Sequence, residues 1–204
     1  MRVTVGSQTS PEFTHDGPSL PTVSYGRDKR WRFTATDATS TVRFESLLPQ
    51  DASGPHIDNV RLYAVGAFST FGVGCAGSAG TPALSAVGEP NLGATWTVQV
   101  ASLPAGAANV PFGILGTSRS TWVGFALPLS LASIGAPGCD VLVSVDVAAP
   151  LTNLGGSATW SLSIPGDAGL AGVEFFVQAA VLDRLANRLG LAASNGGAAR
   201  VGSR

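Results

Sequence analysis

Charge is what this sequence lacks most. Only 12% of its 204 residues are charged, against roughly 25% in an ordinary soluble domain. The formal net charge of −1 gives no electrostatic case for nucleic acid or for an anionic membrane. Lysine occurs once, as Lys29, within Tyr25-Gly26-Arg27-Asp28-Lys29-Arg30. That setting lacks the spaced glycines before Gly-Lys-Ser/Thr that cradle a phosphate, so nucleotide chemistry is not expected. His15 and His56 are the only histidines, Cys75 and Cys139 the only cysteines. Neither pair has the close spacing of zinc ligands. No apolar run approaches the roughly 20 residues of a membrane-spanning helix. Apolar residues are nevertheless abundant at 45%, which excludes a disordered chain. The 26 glycines and 13 prolines follow no Gly-x-y period, which excludes collagen.

The charges that exist are unevenly placed. Residues 1–64 hold seven basic and seven acidic residues, whereas residues 65–180 hold one base, Arg119, and five acids. This shift divides the chain into a first part over 1–65, a linker over 66–74 and a charge-poor second part over 75–204. The linker contains Phe68 and Phe71 among its glycines, so it is expected to dock rather than swing freely. In the first part, Trp31 and Phe33 alternate with Arg30, Arg32 and Thr34, and Val42 and Phe44 alternate with Thr41, Arg43 and Glu45. A period of two predicts half-buried antiparallel strands. Met1–Val5 and the stretch from Ile57 to Val65 are further candidates. In the second part, strands are predicted over 83–87, 95–101, 111–115, 141–147, 158–164, 174–182 and 189–193, separated by Gly/Pro turns. That spacing favours a β-sandwich of about seven strands. Leu182, Leu185, Ala186 and Leu189 also have helical spacing, limited to two turns by Gly190 and Asn195-Gly196-Gly197. The fold class expected is all-β.

Cys75 and Cys139 lie beside turns, in Gly74-Cys75-Ala76-Gly77 and Pro137-Gly138-Cys139-Asp140. Two isolated buried thiols are the plain reading. A disulfide is the sharper one and is expected here, with the oxidising compartment it implies. The opening Met1-Arg2-Val3-Thr4-Val5-Gly6 carries no apolar signal core or cleavage site. The chain is therefore either cytosolic or lacks its true beginning.

Two resemblances bear on that choice. Trp31-Arg32-Phe33-Thr34-Ala35-Thr36, then Thr41-Val42-Arg43-Phe44-Glu45-Ser46, then Gly54-Pro55-His56-Ile57-Asp58-Asn59-Val60 resembles the last strands of a galactose-binding-like jelly roll. That domain type occurs in plant cell-wall proteins and in bacterial surface-anchored proteins. The likeness spans about thirty residues of a domain about twice as long as the part present, which implies missing opening strands and an N-terminally truncated chain. From Phe71 to Gly196, the features Gly-Cys-x-Gly-Ser, Leu-Gly-Ala-Thr-Trp-Thr-Val, Ala-Pro-Gly-Cys, Ile-Pro-Gly-Asp and Val-Gln-Ala-x-Val-Leu-Asp resemble a C-terminal module of secreted planctomycete proteins. This implies an extracellular or cell-surface location and no particular reaction. It also implies a loop, not a helix, over 183–188. Jelly rolls similar to the first part often hold a structural calcium near the final strand, and Asp58 is the matching position.

Catalytic constellations find little support. Ala76-Gly77-Ser78-Ala79-Gly80 approaches the Gly-x-Ser-x-Gly elbow, but Thr81-Pro82 prevents the helix that must follow. Glu45, Asp51 and Asp58 could supply paired carboxylates, yet Glu45 shares its strand face with Arg43. Trp31, Trp96 and Trp160 alternate in phase with core residues. Trp122 and Tyr25 fall in loops, and with Arg119 and Arg27 they are the expected ligand-contact residues, suited to stacking on sugar faces. The expectation is a non-catalytic extracellular or cell-surface protein that binds a glycan or another surface polymer. An accessory region of a secreted hydrolase, or a purely structural envelope component, is the alternative. An incomplete jelly roll would also leave an open sheet edge for homo-association. No nucleic acid partner, membrane span or cofactor is expected, the structural calcium apart.

Overall fold

The computed structural model describes residues 1–14, 29–47, 57, 59–106 and 108–203. The chain is all-β and divides into two compact units, Met1–Arg61 and Leu62–Arg204.

The first unit contains a three-stranded antiparallel sheet in the order β2-β1-β3, built from β1 (Arg2–Val5), β2 (Gln8–Thr9) and β3 (Val42–Glu45). Alternation along β1 buries Val3 and Val5. Arg2 faces Glu45 across the ladder, but its guanidinium pairs with Glu12 Oε1 at 2.9 Å. The stretch around Trp31 and Phe33, expected as a strand, joins no ladder among the described residues. Its period of two survives because Gln8 holds it as a strand neighbour would. The Gln8 amide donates to Thr34 O at 2.6 Å and accepts the Thr34 N–H at 2.9 Å, leaving the Trp31 and Phe33 rings in contact at 5.4 Å. Residues 57 and 59–66 likewise contribute no strand.

The second unit is a two-sheet sandwich. Its longer strands are β4 (Ala67–Phe71), β5 (Ala83–Val87), β6 (Thr95–Ala101) and β7 (Pro111–Gly116). Four short strands follow: β8 (Thr121–Trp122), β9 (Phe125–Ala126), β10 (Leu129–Ser130) and β11 (Asp140–Val141). The last four are β12 (Val147–Pro150), β13 (Ala158–Ser163), β14 (Glu174–Leu182) and β15 (Leu191–Arg200). One sheet runs β12-β7-β14-β15-β4 and the other β13-β6-β5. Between them lie Trp96, Val98, Val100, Val177, Val181 and Ala192, all buried. Trp96 is flanked by Phe68 and Phe175, with ring centroids 5.4 and 5.6 Å away.

Three sequence expectations are corrected here. Residues 66–74 hold an edge strand of the larger sheet rather than a linker, paired with β15 from Ala67↔Arg200 to Phe71↔Gly196. The two phenylalanines explain this. Phe68 turns inward onto Trp96, and Phe71 turns outward onto Phe176 at 6.2 Å. The continuous strand expected over 141–147 is interrupted, because the Leu142 N–H is taken by the side chain of Gln178 at 2.9 Å. The last strand is longer than expected and runs through Asn195-Gly196-Gly197, which reads as a turn in the sequence. There the strand bulges between Ala193 and Gly196. Ser194 Oγ accepts the Ala179 N–H at 2.9 Å in place of a ladder partner. The span 183–190 is a turn, without helix.

The glycines of β15 are there for space. A Cβ on Gly196 would come within 2.6 Å of the Phe71 ring, and one on Gly197 within 2.5 Å of Phe68. Gly196→Val should therefore cost about 2 kcal/mol by overpacking, measured by urea unfolding; an unchanged midpoint would show that the ring moves freely.

Candidate functional site

The chain between β7 and β12 leaves the sandwich and returns across the outer face of the larger sheet. Leu142 and Val143 bury themselves there against Phe176, with Phe71, Ile114 and Ala198 around them. Gln178, only 2% exposed, fastens this cover. It accepts the Leu142 N–H and donates to Asp140 O and Ser194 O, both at 3.0 Å. The Cys75–Cys139 disulfide fastens the other side, and Cys75 Sγ also accepts the Ala193 N–H at 3.1 Å.

The first turn of this excursion is held by hydroxyls and one carboxylate. Ser144 Oγ accepts the N–H groups of Thr117 and Ser118, each at 3.0 Å, and donates to Asp146 Oδ2 at 3.1 Å. The hydroxyl and N–H of Thr117 reach the same Asp146 oxygen at 2.7 and 2.8 Å. These bonds, from Thr117 first and Ser144 last, hold the exposed Asp146 carboxyl below its ordinary pKa. Ser118 Oγ accepts the N–H groups of Ser120 and Thr121 at 3.1 Å. A turn so closed presents Arg119 in one place.

Arg119 is exposed, and its guanidinium carbon lies 5.5 Å from the Phe71 ring centre and 5.8 Å from that of Phe176. This distance is within cation–π range. Among the described residues its N–H groups meet no acceptor and no carboxylate. Immediately after it, β8 and β9 form a hairpin that pairs Trp122 with Phe125 on one face. The two-residue turn has Val123 at φ 47° and Gly124 at φ 83°. A β-branched residue in that region is strained, and here it projects 78% exposed, with Phe125 at 59%. Trp122 is half-buried.

Of the residues singled out in the sequence, Arg119 and Trp122 thus lie on one excursion, three positions apart. Tyr25, Arg27 and Asp58 lie outside the described residues. Sequence reasoning missed Phe71 and Phe176, the shelf beneath Arg119. Alternation marks each as a strand residue, but nothing local shows that two distant strands bring both rings under one guanidinium.

A separate cleft of about 430 Å³ is lined by Ser78, Pro104, Asn109, Asp183, Arg184 and Leu185 among others. Ser78 is no elbow nucleophile here. Its segment is a tight turn closed by reciprocal Gly77 and Gly80 backbone bonds of 2.8 and 3.2 Å, and β5 follows. Asp183 is buried and serves as an acceptor, taking the Ser78 N–H at 2.5 Å and the Leu185 N–H at 3.1 Å. Burial pushes its carboxyl pKa up, but the bonds from Ser78 and Leu185 together outweigh that and leave it below the ordinary value.

No group of three or more His, Cys, Asp or Glu side chains able to hold a metal ion occurs among the described residues. Among the same residues no helix is long and apolar enough to cross a membrane. No protein-family model, curated protein or solved structure matches the chain.

Proposed function

We propose that this chain is a non-catalytic part of an extracellular or cell-surface protein and attaches it to a carbohydrate. Arg119 and the Trp122–Phe125 hairpin make the contact. The observation that carries the reading is the exposed guanidinium of Arg119, fixed over Phe71 and Phe176 with its donors free among the described residues. The cation–π contacts restrain the side chain in advance, so less entropy is lost when it binds. The aromatic pair beside it supplies faces for sugar C–H groups. A buried disulfide suits an oxidising compartment. In this reading the first unit represents the closing strands of a galactose-binding-like jelly roll, and the sandwich is a module of the secreted type.

Retention on columns of cell-wall polysaccharide tests the proposal. The chain should be retained, and Trp122→Ala should weaken binding tenfold or more, the loss typical of a central aromatic contact. Passage of the intact chain through every polysaccharide column would overturn it.

One observation favours a structural envelope role instead. The outer face of the three-stranded sheet presents Ser85, Thr95, Thr97, Gln99, Thr159 and Ser161, with no charge. That role requires self-association, visible as multimers in light scattering, and a monomer without them would exclude it.

A further inference from the structure

We infer that the ligand of the Arg119 site is an acidic polysaccharide, its carboxylate gripped by the outward edge of the Arg119 guanidinium. The inference rests on the carbohydrate-binding reading above and narrows its ligand class. Arg119 is the only base between residues 65 and 180. A lone cation in so charge-poor a stretch is not one member of a solvated mixed surface. Its guanidinium carbon sits over the Phe71 and Phe176 rings, and with no acceptor on its N–H groups among the described residues those donors are the free binding element. They form a planar fork that matches a carboxylate through two parallel hydrogen bonds.

The surroundings suit a sugar acid better than a small anion. Ser118, Ser120 and Thr121 cluster beside Arg119, with hydroxyl oxygens 3.3 and 3.5 Å apart, and can exchange hydrogen bonds with ring hydroxyls. Asp146 is the nearby acid in the same turn. Its Oδ2 is engaged by Thr117 and Ser144, so it braces the turn that carries Arg119. The Trp122–Phe125 pair follows on the same excursion and offers aromatic faces to further sugars.

The test compares polygalacturonate with its fully methyl-esterified form by affinity electrophoresis of the intact chain. The ester keeps the sugar rings and removes the carboxylate charge. Polygalacturonate should retard the chain, and the ester should bind at least tenfold more weakly. Arg119→Gln should lose the preference while lowering the melting temperature by no more than a few degrees, and Arg119→Lys should recover only part of the preference, since a lysine offers no fork. Equal binding of both polymers, or full retention of the preference in Arg119→Gln, would overturn the acidic ligand while leaving carbohydrate binding intact. Binding of neither polymer, nor of any neutral polysaccharide, would overturn both readings.

Discussion

Removal of the Cys75–Cys139 disulfide in a Cys75→Ala/Cys139→Ala double variant is expected to cost about 4 kcal/mol. The bridge joins residues 64 positions apart, so its loss frees a long loop in the unfolded chain, and loop-closure entropy sets the magnitude. The folded state also loses a specific tie. Cys75 sits beside β15 through the Ala193 N–H, and the fully buried Cys139 introduces β11. The bridge thus anchors the excursion that carries Arg119 and Trp122 to the sheet it covers. For a unit of this size the cost corresponds to a fall in melting temperature of roughly 10 °C. Calorimetry of the double variant measures it. A fall of under 2 °C would mean that Gln178 and the Leu142–Val143 contact hold the excursion without help.

The second large effect belongs to Asp183. Asp183→Ala should cost about 3 kcal/mol, because it strands the N–H groups of Ser78 and Leu185 and leaves a small void. The same carboxylate should make stability depend on acid. Its folded pKa lies below the ordinary value of 3.8, so the unfolded chain binds the proton more readily. Its contribution is therefore fully present above the unfolded value and disappears as pH falls through the lower folded one. Asp183→Asn should flatten that limb of a stability–pH curve measured by urea unfolding between pH 5 and 2, about the range over which a carboxylate titrates. A limb as steep in Asp183→Asn as in the parent chain would assign the acid sensitivity to other carboxylates.

Both predictions rest on ties that the sequence shows unequally. Alternating strands were legible: 83–87, 95–101 and 174–182 match β5, β6 and β14 residue for residue, because each buries one face of a regular ladder. The disulfide could be anticipated from two cysteines in similar turn settings. What stayed hidden were places where an amide side chain does the work of backbone. Gln8 clamps Thr34, Gln178 captures Leu142, and Asn195 accepts the Leu84 N–H at 2.8 Å and donates to Leu84 O at 3.3 Å. Each makes or breaks a strand at a distance that no local window contains. In a chain so poor in charge, neutral amides and hydroxyls take fastening roles that ion pairs fill in more charged proteins.

The last strand shows the same limit from another side. Ser194-Asn195-Gly196-Gly197 has turn composition, yet it forms a bulge and then a ladder because Phe68 and Phe71 occupy the space where side chains would stand. Glycine marks close approach here rather than a reversal of direction. That close approach puts Phe71 beside Phe176, and so determines where Arg119 rests. The candidate site was therefore half legible. Arg119 and Trp122 stood out as unusual residues in a neutral stretch, whereas the rings beneath Arg119 depended on strand order.

Amide hydrogen exchange of the intact chain, with and without polygalacturonate, tests carbohydrate attachment at this site most directly. Slowed exchange confined to residues 117–126 and to the end of β4 near Phe71 is the expected result. Protection centred on the Asp183 cleft or on the Ser/Thr face of β5, β6 and β13, with residues 117–126 unaffected, would contradict it.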